Sequence, residues 1–233
     1  MLDKSVILYW IRRDLRVSDN LALTEALNSG ALLVPVFIYD EWFSDLGAAP
    51  KFRLEKSLIS LQNQYEDLGS YLIIKKGPAG TILRNLIKET RATTVVWARD
   101  LDPRAIARDT EIKKDLKAHG ISVKSYRGQV LFDPWSVSTK TGGFYRVYTP
   151  FWNSVRDRVV EYSLKAPKSI SSPGSRPATL TVGDLNLGNE MSRGRKTLSQ
   201  YVEAGELAAQ TKLKKFLDGP VVNYSDDRNI PQI

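Results

Sequence analysis

Five short apolar runs punctuate the first 126 residues, separated by stretches with helical rhythm. "SVILYWI" (5–11) is unbroken and rich in β-branched and aromatic residues, as a strand buried on both faces of a parallel sheet requires. "ALLVPVFIYD" (31–40), "YLIIKKG" (71–77), "TTVVWA" (93–98) and "ISVKSY" (121–126) repeat the signal. Pro35 is awkward inside the second run, because proline donates no ladder hydrogen bond; an edge position or a local break is expected there. The intervening segments read as helices. In 18–30, Ser18 or Asp19 can cap, Leu21, Ala22, Glu25 and Ala26 fall at helical spacing, and Gly30 can close the end. In 51–69, Leu54, Leu58, Leu61, Tyr65 and Leu68 make a stripe that Gly69 stops. Residues 81–90 form a third helix. Residues 102–120 form a fourth, with Asp102 as cap, Pro103 at the first position and Gly120 at the exit.

This alternation predicts an α/β fold, doubly wound, with a mostly parallel five-stranded sheet and flanking helices. The strand order is not contained in the pattern. After residue 127 the rhythm lapses. A short helix is expected from about Pro150 to Tyr162. Residues 163–196, rich in Ser, Pro and Gly and without a sustained period, read as a long connector laid over a surface. A final helix is expected through 198–217, with Val202, Ala209, Leu213, Phe216 and Leu217 on one face and Gln210, Lys212, Lys214 and Lys215 on the other. One amphipathic helix cannot bury its own stripe, so this one must dock on the α/β domain or on something outside the chain. Exposure of Leu213, Phe216 and Leu217 would point to a fragment, and their burial to a stand-alone module. The expected divisions are an α/β domain at 1–130, a connector at 131–197 and the start of a truncated helical domain at 198–233.

Composition narrows the chemistry. With no cysteine among 233 residues, disulfides, thiolate zinc sites and cysteine nucleophiles are excluded. The one histidine, His119, precedes Gly120, where it suits the negative end of a helix better than a catalytic role. No apolar run is long enough to span a bilayer and the N-terminus lacks a signal-peptide shape, so a cytoplasmic location without membrane contact is expected. The 34 basic and 26 acidic residues give a net charge of +8, which favours polyanions, but the basic positions are spread along the chain rather than clustered.

Three stretches could carry chemistry. "GPAG" (77–80) lies between a strand and a helix, where phosphate loops sit, but lacks their spacing and lysine and reads first as a plain turn. Asp100, Asp102 and Asp109 could hold magnesium. The plainer reading makes Asp102 a cap and Asp109 the partner of Arg13, Arg104 or Arg108. Asp100 has no evident structural duty and lies at the carboxyl end of a strand, where open α/β sheets bind ligands. "WIRRDLRVSDNLAL" (10–23) is the densest stretch, with three arginines and two aspartates. It can equally be an ion-pair network pinning a loop or an anion or cofactor site.

That last stretch resembles the N-terminal signature of the DNA photolyase and cryptochrome family. "VPVFIYD" (34–40), "VVWARDLDPRAIARD" (95–109), "YRVYTPFWNSV" (145–155) and "AGELAAQTKLKKFLDGPVVNYSDDRNIP" (204–231) are similar to further segments of it, in the same order. The resemblance implies a Rossmann-like antenna domain, a long connector, and then a larger all-helical domain that holds FAD and binds DNA carrying a pyrimidine dimer. In that family light excites the reduced flavin, directly or through an antenna chromophore. The flavin lends an electron to the dimer, the ring splits and the electron returns. By the same resemblance Tyr224 is a flavin contact and Arg228 lies near the cavity that takes the damaged DNA. The family's Thr-Ser flavin phosphate motif and the helices after it have no counterpart in these residues, so no catalytic residue is assigned. For the antenna chromophore the resemblance implies Phe37, Tyr39, Arg53 and Asp100. Arg104 and Ala105 stand where folate-type members have an Asn-Glu pair, which favours 8-hydroxy-deazaflavin or flavin over folate.

Three functions follow. The first is the N-terminal part of a light-dependent photolyase (a lyase in the family), with this chain alone expected to bind no FAD, repair no dimers, bind DNA weakly or not at all, and be a monomer. The second is a cryptochrome-type blue-light photoreceptor. The third is a stand-alone chromophore-binding α/β module.

Overall fold

The structure, a computed structural model, describes residues 4–230. Strands β1 (Val6–Ile11), β2 (Leu32–Tyr39), β3 (Ile73–Lys76), β4 (Thr94–Ala98) and β5 (Ser122–Tyr126) form one sheet in the order β3-β2-β1-β4-β5, every neighbouring pair parallel. The chain builds outward from β1 in one direction, then returns to β1's other side with β4. Helices α1 (Leu21–Asn28) and α3 (Ala48–Asp67) cover one face; α4 (Ala79–Thr90) and α5 (Pro103–Ala118) cover the other. A short α2 (Glu41–Ser44) follows β2.

Strand alternation sorts the core into two layers. Ile7, Tyr9 and Ile11 of β1 join Val96 and Ala98 of β4 beneath Leu23, Leu58 and Tyr65. Leu8, Trp10, Val95 and Trp97 point the other way, beneath Leu83, Leu86, Ile112 and Leu116. Each fully buried side chain of this kind stabilises the fold by about 1.5–3 kcal/mol relative to its exposed state. Trp10 and Trp97, directly in register, meet edge to face with centroids 5.5 Å apart.

Pro35 is neither on an edge nor at a break: β2 is continuous and internal, with Pro35 opposite Tyr9. The reason lies in strand parity. Leu32 N–H donates toward β1, to Ser5 O, while Leu33 N–H donates the other way, to Ser171 O, and Tyr39 O also faces β3. Pro35 shares that outward parity, and β3 begins pairing only at Val36, so the missing donor falls where no strand asks for it.

Other differences are local. Asn20, not Ser18 or Asp19, caps α1 by accepting from Leu23 N. Asp102 caps α5 as expected, with Pro103 first in the helix, and His119 closes it with Nδ1 2.8 Å from Asp115 O. The connector does more than lie on a surface. Ile170, Val182, Leu185 and Leu187 insert into the α1/α3 core layer, and Leu180 N–H and Thr179 Oγ1 pair with the backbone of Ile74.

Ahead of these insertions α6 (Tyr148–Val155) ends well short of Tyr162, its last turn folded under Arg158, which donates to the carbonyls of Ser154 and Ser136. The helix expected over 198–217 forms only as α8 (Glu206–Leu217); α7 (Arg193–Leu198) lies before it, almost wholly in residues expected to be connector. Helix α8 starts only after Gly205, whose φ of 99° is left-handed backbone that a helix interior forbids. A last turn, α9 (Tyr224–Asp227), precedes Arg228. Pro231, the end of the 204–231 similarity, lies outside the described residues, as do the outermost positions of the expected domains. Among the described residues no helix is long and apolar enough to cross a membrane.

Candidate functional site

Strand order places the ligand-binding crevice. In an open parallel sheet it lies past the carboxyl ends of the strands where the winding reverses, here between β1 and β4. The densest polar stretch of the sequence follows β1 into that place, and most of it is a pinning network. Arg12 is buried, donates to Asp109 and to Ala98 O at the end of β4, and stands 4.9 Å over the Trp10 ring. Asp14 accepts from Tyr9 Oη at 2.6 Å and from Arg12 N–H at 3.0 Å, while Asn20 donates to Tyr9 Oη at 2.6 Å. Burial, and then the negative charge of Asp14, push the Tyr9 hydroxyl well above its ordinary range. The partners of Asp109 are Arg12 and Arg108, so among the arginines expected only Arg108 is found there.

The open space lies beside this network. A cleft of about 480 Å³ is bounded by α2, by the β3–α4 turn at Pro78, Ala79 and Gly80, and by the exposed side of α5. That volume suits one small-molecule ligand. Trp42 of α2 supplies a flat wall. Arg104 and Arg108 supply cationic edges, and Asp40, Glu41, Asp45 and Glu111 supply acidic ones. Arg104 pairs with Asp45 at 2.8 Å. Arg108 pairs with Asp40 and stands 4.9 Å over Trp10. Burial pushes the Asp40 carboxyl up, and the Arg108 guanidinium pulls it part of the way back. Asp102, at the mouth of α5, goes the other way. The Arg104 backbone N–H holds its carboxyl below the usual range. The Trp42 indole N–H adds to this without reaching full hydrogen-bond geometry with any partner.

The residues the sequence proposed as one site do not come together as one. Phe37 is fully buried and packs on Phe43 at 5.1 Å; Tyr39 stacks on Phe43 at 5.9 Å and donates to its carbonyl. Neither lines the cleft, because their positions on β2 point into the α1/α3 layer and the cleft opens on the other side. Arg53 is exposed on α3, and among the described residues no hydrogen bond or ion pair joins it to Asp100. Asp100 is buried, accepts from Asp102 N–H at 3.1 Å and has Arg13 Nη1 at 3.9 Å. Arg13 in turn stands 4.9 Å over Trp42, so Asp100 reaches the cleft wall through one intermediary. Tyr224 is 52% exposed and meets Phe216 edge on at 5.7 Å, and Arg228 is exposed beside it. These two surface positions do not form a flavin pocket among the described residues.

The sequence reading passed over Trp42 and used Arg104 only as a possible partner of Asp109 and to weigh folate. The usable signal was position. Trp42 follows the carboxyl end of β2, and "GPAG" was noticed but set aside as a turn. No group of three or more His, Cys, Asp or Glu able to hold a metal ion occurs among the described residues. The cleft offers a ring wall, paired charges and no nucleophile–base couple. It can bind and orient a flat, polar-edged molecule.

Comparison with known proteins agrees with this frame. The family model described as DNA photolyase matches residues 7–169. The chain is 37% identical to a deoxyribodipyrimidine photo-lyase of Agrobacterium fabrum over 231 residues, covering 99% of this chain and 48% of that protein. It is 30% identical to cryptochrome-2 of Arabidopsis thaliana, covering 96% and 38%. The crystal structure of a bacterial class III photolyase from Agrobacterium tumefaciens superposes with a TM-score of 0.93 at 36% identity, over 99% of this chain and 48% of that one. The chain therefore spans about half the length of these photolyases.

Proposed function

The chain belongs to the DNA photolyase family, and from that premise we propose that it forms the light-gathering half of an enzyme that repairs pyrimidine dimers in DNA. Identity of 37% to a photolyase across nearly the whole chain supports this over a photoreceptor role, and the 30% match to a cryptochrome is the basis of the alternative. On this reading damaged DNA and FAD belong to the whole protein, in the cytoplasm. The described residues fit an antenna ligand but do not enclose FAD.

The observation that carries the antenna reading is the cleft beside the sheet's switch point, walled by Trp42 and flanked by Arg104 and Arg108. A bound chromophore would supply the absorption and pass the excitation on. The chain's residues hold the ring flat, exclude water from one face and fix its direction. Rigid elements suit that task, because energy transfer depends on orientation. The sequence favours a deazaflavin or flavin there, and Asp100 contributes by steadying Arg13 against Trp42.

The test is titration of the purified chain with 8-hydroxy-deazaflavin, flavin mononucleotide and a folate, followed by visible absorbance and fluorescence anisotropy. One ring is expected to bind stoichiometrically, with affinity reduced about tenfold or more by Trp42→Ala through loss of its stacking face. Asp100→Ala tests the support it gives Arg13, and Arg53→Ala tests the contact that the resemblance implies, which lies outside this cleft. Binding that survives Trp42→Ala and Arg108→Ala unchanged would remove the cleft from the reading, and binding of folate alone would overturn the deazaflavin or flavin preference.

A further inference from the structure

Residues 188–206 are held on the α/β domain by the Lys51–Glu190 ion pair at 3.5 Å and, more deeply, by two polar contacts of opposite sense. At the first, Arg195 of α7 donates from Nη1 to Glu55 Oε2 at 3.1 Å and from Nη2 to Glu55 Oε1 at 2.6 Å. Glu55, on α3, is buried. The guanidinium passes so close over Gly188 that any side chain there would collide with it. At the second, Glu206 opens α8 and is itself only 9% exposed. Its Oε2 accepts from Val17 N–H at 2.8 Å and its Oε1 from Ser18 N–H at 3.0 Å, with the Ser18 hydroxyl donating as well. The amide nitrogens of Gln64 on α3 and Gln210 complete its shell at 3.3 and 3.2 Å. Gly205 permits the approach, since a side chain there would collide with Ser60 of α3.

The apolar face of α8 does not do this work. Leu207, Leu213 and Leu217 are 62%, 57% and 55% exposed, and Phe216 packs on Tyr224 of its own segment. The helical segment is docked, yet its leucines are in water.

We propose that Arg195–Glu55 and Glu206–(Val17, Ser18, Gln64) form a keyed clasp, and that polarity rather than apolar area sets the register and direction in which the helical segment meets the α/β domain. Helix α3 is the rail. It presents a carboxylate at Glu55 and a neutral donor at Gln64, nine residues or about 13 Å further along. The incoming segment presents the complement at each point, a guanidinium and then a carboxylate. A segment that slid back or ran in reverse would bring Glu206 onto Glu55, two sheltered carboxylates in place of a carboxylate–guanidinium pair, which is disfavoured. The inference rests on these contacts alone and stands or falls separately from any photochemistry.

Hydrogen exchange of the full 233-residue chain, read on peptides covering 12–20 and 193–217, tests it. Glu206→Ala is expected to lower protection about tenfold or more in both peptides, since it strands two backbone donors and frees the helix. Glu55→Arg and Arg195→Glu should each lower protection in 193–217, and the double variant with the charges exchanged should recover most of it. Leu213→Ala should change neither peptide. Arg195→Glu, on a side chain more than a third exposed, serves alone if Glu55→Arg does not fold. The clasp is overturned if Glu206→Ala and Arg195→Glu leave exchange unchanged, if the exchanged pair is no better than its singles, or if Leu213→Ala loosens the segment as much as they do.

Discussion

Trp97 and Trp152 carry the same side chain into two different regions of the molecule. Trp97 sits in β4 between Val96 and Ala98, is 1% exposed and meets Trp10 edge to face. Trp152 sits in α6, is 47% exposed and stacks on Tyr148, itself largely in solvent. The sheet region is held by apolar surface removed from water. The region from Phe144 onward leaves Phe144, Val159 and Tyr162 exposed, and α8 is moored by the carboxylate at its first residue. The lesson is that an amphipathic pattern predicts where a helix forms, not what covers it.

Paired substitutions should separate the two regimes most sharply. Trp97→Ala is expected to cost about 3–5 kcal/mol of stability by urea denaturation followed through far-ultraviolet circular dichroism. Trp152→Ala, in the same assay, should stay within about 0.5 kcal/mol. Equal losses would erase the distinction. Arg12→Met removes the cation that ties the β1 loop to Asp109 and Ala98 O. Because Arg108 still faces Asp109, the loss should fall at the low end for a broken buried pair, about 3 kcal/mol. A gain in stability would mean the network adds nothing to packing. Asn20→Ala strips the cap of α1 and a donor to Tyr9 Oη, and should cost about 1 kcal/mol.

The smallest effect is one of pH, and two aspartates give it opposite signs. The Thr181 backbone N–H holds the Asp184 carboxyl below its usual range. The folded state thus binds its proton less readily than the unfolded chain, and the support for the Thr181–Asp184 turn is present above the unfolded value and lost as pH falls below about 4. Asp184→Asn should flatten that acid loss in local exchange of the turn. Burial holds the Asp40 carboxyl up, so its contribution is fullest below the unfolded value and fades as pH rises through the folded one. Asp40→Asn should steepen the net acid loss in global stability rather than relieve it.

Most of the sheet was legible because a strand buried on both faces of a parallel sheet must be almost wholly apolar, as β1, β2 and β4 are, while the edge strand β5 was legible from the strand–helix alternation. Asp102 was legible because capping is a local contract between adjacent residues. What escaped was non-local. Ile170, Val182, Leu185 and Leu187 looked like scattered apolar positions in a linker, and only the fold shows the layer they complete. Pro35 looked misplaced because parity and strand order are not written beside it. Phe37 and Tyr39 were expected at a cavity by resemblance alone, whereas a one-residue change of side decides between cleft and core. Trp42 and Arg108 matter through contacts with residues 29 or more positions away along the chain.

Arg108 has a consequence of its own. One guanidinium faces Asp40 at the cleft, Asp109 at the switch point and the Trp10 ring in the sheet. A guest in the cleft that claims this cation must outbid all three hosts, and whatever they yield is withdrawn from the sheet. Occupancy would therefore be announced inside the protein, as a change in the surroundings of a deeply enclosed indole that the guest never touches. Trp10 is, in effect, a resident gauge wired to the door.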